Sequence, residues 1–248
     1  MPRFFVKTEQ IRENKIIILG EDVKHIKNVL RKQVGDNLEI CNQETSETYK
    51  CEISEIREQE IINNIIEQIS NTEDKIKVDI YQGLPKADKM ELIIQKSIEL
   101  GVNAIIPVEM KRCVVKLDSK SESKKIERWQ KIAESAAKQS GRSTVPEIRK
   151  IIKIDDIVKL KELYDSIIVC YENEKENYIK NELLKLKKEN KQEIRIAIVI
   201  GPEGGLEEKD VQNLKQNGAA IVTLGSRILR TETVALNLLS IIMYELEN

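Results

Sequence analysis

Residues 194–200, Ile-Arg-Ile-Ala-Ile-Val-Ile, run directly into Gly201-Pro202-Glu203-Gly204-Gly205. A nearly continuous apolar run of this length suits a strand of a parallel sheet covered on both faces. Such sheets bind their ligands in the crevice beyond the carboxyl ends of the strands. Three glycines in five residues let a ligand approach the main chain closely. The loop has neither the Lys-Ser/Thr of a P-loop nor the spacing of a dinucleotide fingerprint. Glu203, Glu207 and Glu208 around it disfavour a polyphosphate, so a neutral or cationic adenosine-type ligand fits better. Taken alone, the segment also reads as a glycine-rich β–α turn with no ligand.

A second strand, 220–224, leads into Leu224-Gly225-Ser226-Arg227-Ile228-Leu229-Arg230-Thr231-Glu232-Thr233. Thr231 or Thr233 can cap the helix that follows, and Glu232 favours its positive end. Arg230 would then project near the same sheet edge as the first loop. A well-capped helix bearing a surface arginine is the plainer alternative.

The rest of the chain divides into two rhythms. Over 1–70, short strands at 3–7, 15–19, 38–41, 49–56 and 61–69 surround one helix at 21–32, whose apolar face is Val23, Ile26, Val29 and Leu30. That pattern suits a small β-barrel. Asn71-Thr72-Glu73-Asp74 reads as a polar linker. From Lys75 onward strands and helices alternate: strands around 76–80, 104–108, 166–171, 194–200 and 220–224, with helices at 86–100, 123–139, 175–190, 207–217 and 231–246. This is an α/β domain. The division expected is therefore 1–72 and 73–248.

Charge narrows the function. The 248 residues carry 41 basic and 42 acidic side chains, yet residues 111–150 hold 12 basic against 5 acidic, and residues 1–33 hold 8 against 4. Two basic stretches in a neutral chain suggest a polyanion-binding face, although a solvated helix surface would look the same. Aromatics are only 4%, which leaves few stacking platforms for single-stranded nucleic acid. One histidine and four cysteines without a CxxC pair make a metal site improbable, so no metal is expected. No apolar run reaches the ~18 residues of a membrane span, and the first ten residues lack a signal peptide's apolar core. A cytoplasmic, reducing location and no membrane partner are expected.

The two loops, taken together, resemble the bacterial small-subunit (16S) rRNA uridine-N3 methyltransferase family, which belongs to the SPOUT, or knotted, methyltransferases. Other segments are similar too. Lys86-Ala87-Asp88-Lys89-Met90-Glu91, with Lys96 and Glu99-Leu100-Gly101-Val102, looks like the family's stretch after its first strand. Pro107, Lys111-Arg112-Cys113, Arg128-Trp129, Ala136-Ala137-Lys138-Gln139-Ser140-Gly141-Arg142 and Pro146 follow in the family's order. Pro2-Arg3-Phe4-Phe5, His25, Val29-Leu30-Arg31 and Gly35-Asp36 look like its PUA-like RNA-binding domain.

The resemblance implies a PUA-like β-barrel preceding a SPOUT α/β domain with a C-terminal trefoil knot. It implies methyl transfer from S-adenosyl-L-methionine to N3 of a uridine in the 16S rRNA of the small ribosomal subunit, by a homodimer. Ile200, Gly201, Pro202, Glu203, Gly204, Gly205, Leu224, Gly225, Ile228, Leu229, Arg230 and Thr231 would hold the cofactor. Arg230 would stabilise charge on the uracil, with Glu203 the second catalytic candidate or a loop support. Arg3, His25, Arg31, Lys86, Lys89, Arg112, Lys138 and Arg142 would contact the RNA, His25 being also readable as a structural residue. A SPOUT enzyme acting on another RNA, or a non-catalytic RNA-binding assembly factor, are the alternatives.

Overall fold

The computed structural model describes residues 3–71, 73 and 75–247. Pro2 of the PUA-like signature, and Thr72 and Asp74 of the expected linker, lie outside the described residues. The chain forms two compact units: one of residues 1–73 with 137–145, the other of 74–136 with 146–248.

In the first unit, β1 (Arg3–Val6), β2 (Ile11–Arg12), β3 (Lys15–Leu19), β4 (Asn37–Asn42), β5 (Thr48–Ile56) and β6 (Glu60–Ile69) make one curled sheet in the order β1-β4-β5-β6-β3-β2. β1 and β2 are its edges, so it curls as a half-barrel. β1 pairs parallel to β4, and the other ladders are antiparallel. Phe4, Ile16, Ile18, Leu38, Ile40, Ile53 and Ile61 fill its interior, a core of aliphatic side chains around one phenylalanine.

The helix expected at 21–32 departs from its pattern. α1 (Glu21–Lys24) passes into a π-turn at His25–Val29. A π-turn inserts an extra residue per turn and rotates whatever follows. Val23 and Ile26 therefore stay buried, whereas Val29 is turned out to 66% exposure. The linker reading also needs correction at Glu73. Its carboxylate accepts from the Arg142 guanidinium (Nη2 at 2.5 Å) and from the amides of Ser143 (2.8 Å) and Thr144 (3.2 Å). Glu73 is an anchor for the 137–145 segment and no free spacer.

The second unit is an all-parallel sheet. β7 (Ile76–Gly83), β8 (Ala104–Glu109), β9 (Glu147–Ile148), β10 (Ile152–Lys153), β11 (Ser166–Cys170), β12 (Ile194–Ile200) and β13 (Ala220–Val222) run in the order β10-β8-β7-β12-β11-β13, with β9 also on β8. Ile198 of β12 stands opposite Ile80 of β7 and Ile168 of β11, and all three are fully buried. The unit's helices are α2 (Lys89–Glu99), α3 (Ser119–Ser140, as far as residue 136), α4 (Ile179–Lys188), α5 (Glu208–Gln216) and α6 (Thr231–Glu247). α2 begins three residues later than its sequence pattern suggests, because Ala87 takes a positive φ of 51° that interrupts the helix. α6 buries Thr231, Ala235, Leu238, Leu239 and Ile242, the spacing of one helical face. This is the SPOUT-type parallel-sheet architecture that the resemblance implies.

Adjacent strands β7 and β12 send their chain onward in opposite directions, β7 to β8 and β12 past β11 to β13. A crevice opens at the carboxyl ends where connections diverge in this way. Among the described residues no helix is long and apolar enough to cross a membrane.

Candidate active site

The carboxyl ends of β11, β12 and β13 surround a cavity of about 500 Å³ in the second unit. All twelve residues expected to hold a cofactor, from Ile200 to Gly205 and from Leu224 to Thr231, line it. So do Cys170 at the end of β11, Tyr171 and Glu172 just after it, and Lys89 at the start of α2. A volume of this size suits a ligand of nucleoside dimensions.

The first loop, 201–206, is tied from several sides. The Thr231 hydroxyl donates to the Gly201 carbonyl oxygen at 2.7 Å. The Arg112 guanidinium donates to the Gly204 carbonyl oxygen at 2.9 Å. Glu203 accepts from the Lys86 amide at 3.0 Å and pairs with the Lys89 ammonium at 3.1 Å. Lys89 also stands 3.4 Å from Glu232 at the start of α6, so one ammonium bridges both loops. Burial pushes the Glu203 carboxyl up. The amides of Glu203 and Lys86 and the Lys89 ammonium outweigh that, and hold it below the usual carboxylate range. At neutral pH Glu203 is a pinned carboxylate with little basicity, which suits loop support better than proton abstraction.

Glycine is required where the main chain passes closest to its neighbours. Gly205 has φ +71°, and a Cβ there would lie 2.5 Å from a Glu172 carboxylate oxygen. Gly83, at the end of β7, would place a Cβ 2.7 Å from the Pro202 nitrogen and 2.9 Å from the Met110 sulfur.

The second loop is open by contrast. Ile228 is 87% exposed, and Arg227 and Arg230 are exposed as well. Among the described residues no side chain pairs with the Arg230 guanidinium. It stands at the cavity with all its donors available. Elsewhere on the cavity wall, burial pushes the Cys170 thiol up to about 12, so that group is neutral.

The pattern of an RNA methyltransferase domain matches residues 72–243, and that of an RNA methyltransferase PUA domain matches 18–64. Ribosomal RNA small subunit methyltransferase E of Bacillus subtilis is 40% identical over 100% of this chain and 98% of its own. The chain belongs to the ribosomal RNA small subunit methyltransferase E family. Solved relatives agree with this placement. The methyltransferase E of Neisseria gonorrhoeae, in a crystal structure bound to S-adenosyl methionine, superposes with a TM-score of 0.85 at 28% identity, covering 98% of this chain and 97% of that one. A putative methyltransferase from Legionella pneumophila, in complex with the same cofactor, gives 0.83 at 27%, covering 98% and 96%.

Several basic residues expected on the RNA side pair with carboxylates of the chain itself. Arg3 is 7% exposed and forks onto Glu39 (Nη2 at 2.6 Å), with further bonds to the Gly141 carbonyl oxygen and Ser143. Arg142 is paired with Glu73, and Lys138 with Asp22 at 2.7 Å. Arg112 and Lys89 hold the 201–206 loop, as described. The net positive charge of 111–150 is thus partly neutralised by carboxylates distant in sequence. His25 and Arg31 are exposed in the first unit and Lys86 in the second, each side chain without a partner assigned among the described residues beyond the His25–Phe4 ring contact. Metal-binding clusters of three or more His, Cys, Asp or Glu are absent among the described residues.

Sequence reading missed the third wall of the cavity, 170–172, although the strand leading to it was expected. It also missed Gln82, which donates to Thr231 from β7. The only sequence signal for Gln82 was an amide at the end of an apolar strand.

Proposed function

We propose that this chain is an S-adenosyl-L-methionine-dependent methyltransferase that modifies N3 of a uridine in the 16S rRNA of the small ribosomal subunit. The observation that carries the reading is the cavity itself: one rigid glycine loop and one open loop with an unpaired arginine meet at the same strand ends. The residues fit the cofactor. Loop carbonyls and amides at 201–205, apolar walls from Leu224, Ile228 and Leu229, and the acidic Glu172 suit an adenosine with a cationic sulfonium. When bound, that cofactor supplies an electrophilic methyl group.

The chain's own residues do the rest. N3 of uracil carries a proton in the neutral base; that proton passes to solvent water as N3 accepts the methyl group, and the negative charge developing on the ring must be stabilised meanwhile. Arg230 directs guanidinium hydrogens at the uracil oxygens, where that charge gathers. N3 lies on the Watson–Crick edge, so the base must leave any pairing before it can enter the cavity. The pinned Glu203 keeps the first loop in place while this happens. Lys86, His25 and Arg31 meet phosphates.

A C-terminal trefoil knot goes with the family. A homodimer is supported by α6, whose outward side chains include Leu236, Ile241 and Met243, half-buried, and Tyr244, 76% exposed. The activity belongs in the cytoplasm, with the ribosome.

Small subunits lacking the modification, incubated with the protein and labelled S-adenosyl-L-methionine, should yield labelled 3-methyluridine after digestion to nucleosides. Cofactor binding without 3-methyluridine would move the target to another base. No cofactor binding would refute the proposal.

A further inference from the structure

We propose that Gln82 is a positioning residue for the cofactor loop, acting through Thr231 on the Gly201 carbonyl. The inference rests on the cofactor reading of the cavity. Gln82 is fully buried, and Thr231 is 5% exposed. The Gln82 amide nitrogen donates at 2.9 Å to the Thr231 hydroxyl and at 2.9 Å to the Gly83 carbonyl oxygen. Thr231 in turn donates to the Gly201 carbonyl oxygen at 2.7 Å. Three segments far apart in sequence, the ends of β7 and β12 and the start of α6, are thereby joined in one chain of bonds.

The polarity of the chain is set at Gln82. If the amide were reversed, its oxygen would face the Gly83 carbonyl oxygen, two acceptors without a hydrogen between them. The nitrogen must therefore face both partners. It occupies a lone pair of Thr231, whose single hydrogen is directed to Gly201. The Gly201 carbonyl, the first group of the loop that lines the cavity, is held in one orientation. In a water-free setting such bonds are strong and directional.

Stability alone does not account for the arrangement. The Gln82 amide oxygen is buried with no partner among the described residues. An unpaired buried acceptor is destabilising, and an apolar residue of similar length would remove it. Its presence here is explained by what the amide nitrogen orients.

The test compares Gln82→Met, Thr231→Val, Thr231→Ser and the Gln82→Met/Thr231→Val double variant with the unmodified chain. S-adenosyl-L-methionine affinity should weaken by about tenfold in Gln82→Met and in Thr231→Val, a loss of about 1.4 kcal/mol. The double variant should lose no more than either single one, because both break the same chain. Thr231→Ser, which keeps the hydroxyl, should bind as tightly as the unmodified chain. In Gln82→Met, whose side chain is outside the cavity lining, kcat at saturating cofactor and the KM for RNA should stay within about twofold, which a general loosening of the fold would not allow. Backbone amide exchange at 203–206 should rise in Gln82→Met even without ligand, so the relay is tested whether or not the cofactor is the one named. Unchanged loop exchange in a folded Gln82→Met would overturn the proposal. So would additive losses in the double variant.

Discussion

The two loops at the cavity are opposites. The 201–206 loop is bonded to Thr231, Arg112, Lys86 and Lys89 and passes within contact of Gly83. The 224–230 loop presents an exposed Ile228 and two exposed arginines. One is organised before any ligand arrives, and the other has its polar groups available to one. Binding energy is best preserved where no ordering is needed, while charge stabilisation needs a group not already engaged. In the proposed reaction the first loop would hold and the second would react.

Three experiments sharpen or break that contrast. The largest effect belongs to the open loop. Arg230→Ala should lower kcat by about 100-fold, the scale of losing one charge-stabilising donor, with cofactor affinity nearly unchanged in a calorimetric titration. A loss of affinity with kcat intact would place Arg230 on the holding side instead. Next comes the rigid loop. Gly83→Ala forces a Cβ against Pro202, and overpacking of this kind costs about 1–3 kcal/mol. Thermal unfolding should register the loss, and cofactor affinity should fall with it. Unaltered melting would mean the loop tolerates displacement and is less rigid than its bonds imply.

The smallest effect is a pH dependence. The Glu203 carboxyl lies below its ordinary value of 4.5 in the folded chain. Its pairing with Lys89 therefore stabilises the fold above that ordinary value and fades as the pH falls through the lower folded one. The melting-temperature difference between the unmodified chain and Glu203→Gln should be constant at neutral pH and shrink below about 4.5. A difference that does not change with pH would show that Glu203 contributes through shape alone.

The strand 194–200 and its glycine loop were legible because apolar continuity and glycine spacing are local properties. The twelve cavity residues followed from two such loops and a family resemblance. What stayed hidden depends on pairing across the chain. Arg3 and Arg142 looked like phosphate ligands because their carboxylate partners, Glu39 and Glu73, lie 36 and 69 residues away. Glu73 looked like a spacer for the same reason. The π-turn at 25–29 escaped because its extra residue leaves no mark in an apolar period read at helical spacing, and Val29 was assigned to the wrong face. β9 and β10 span two residues each, too few for any alternation to show.

The open loop has fixed ends. Thr223 is held to the Asn177 carbonyl through its amide at one side, and Thr231 to Gly201 at the other. A stretch of seven residues anchored in this way can shift between two fixed points while the sheet beneath keeps its pairing. Turnover can then be tuned by the length and stiffness of that stretch alone, so an inserted glycine at 226–227 would alter the rate of exchange at the cavity while leaving the stability of the domain untouched.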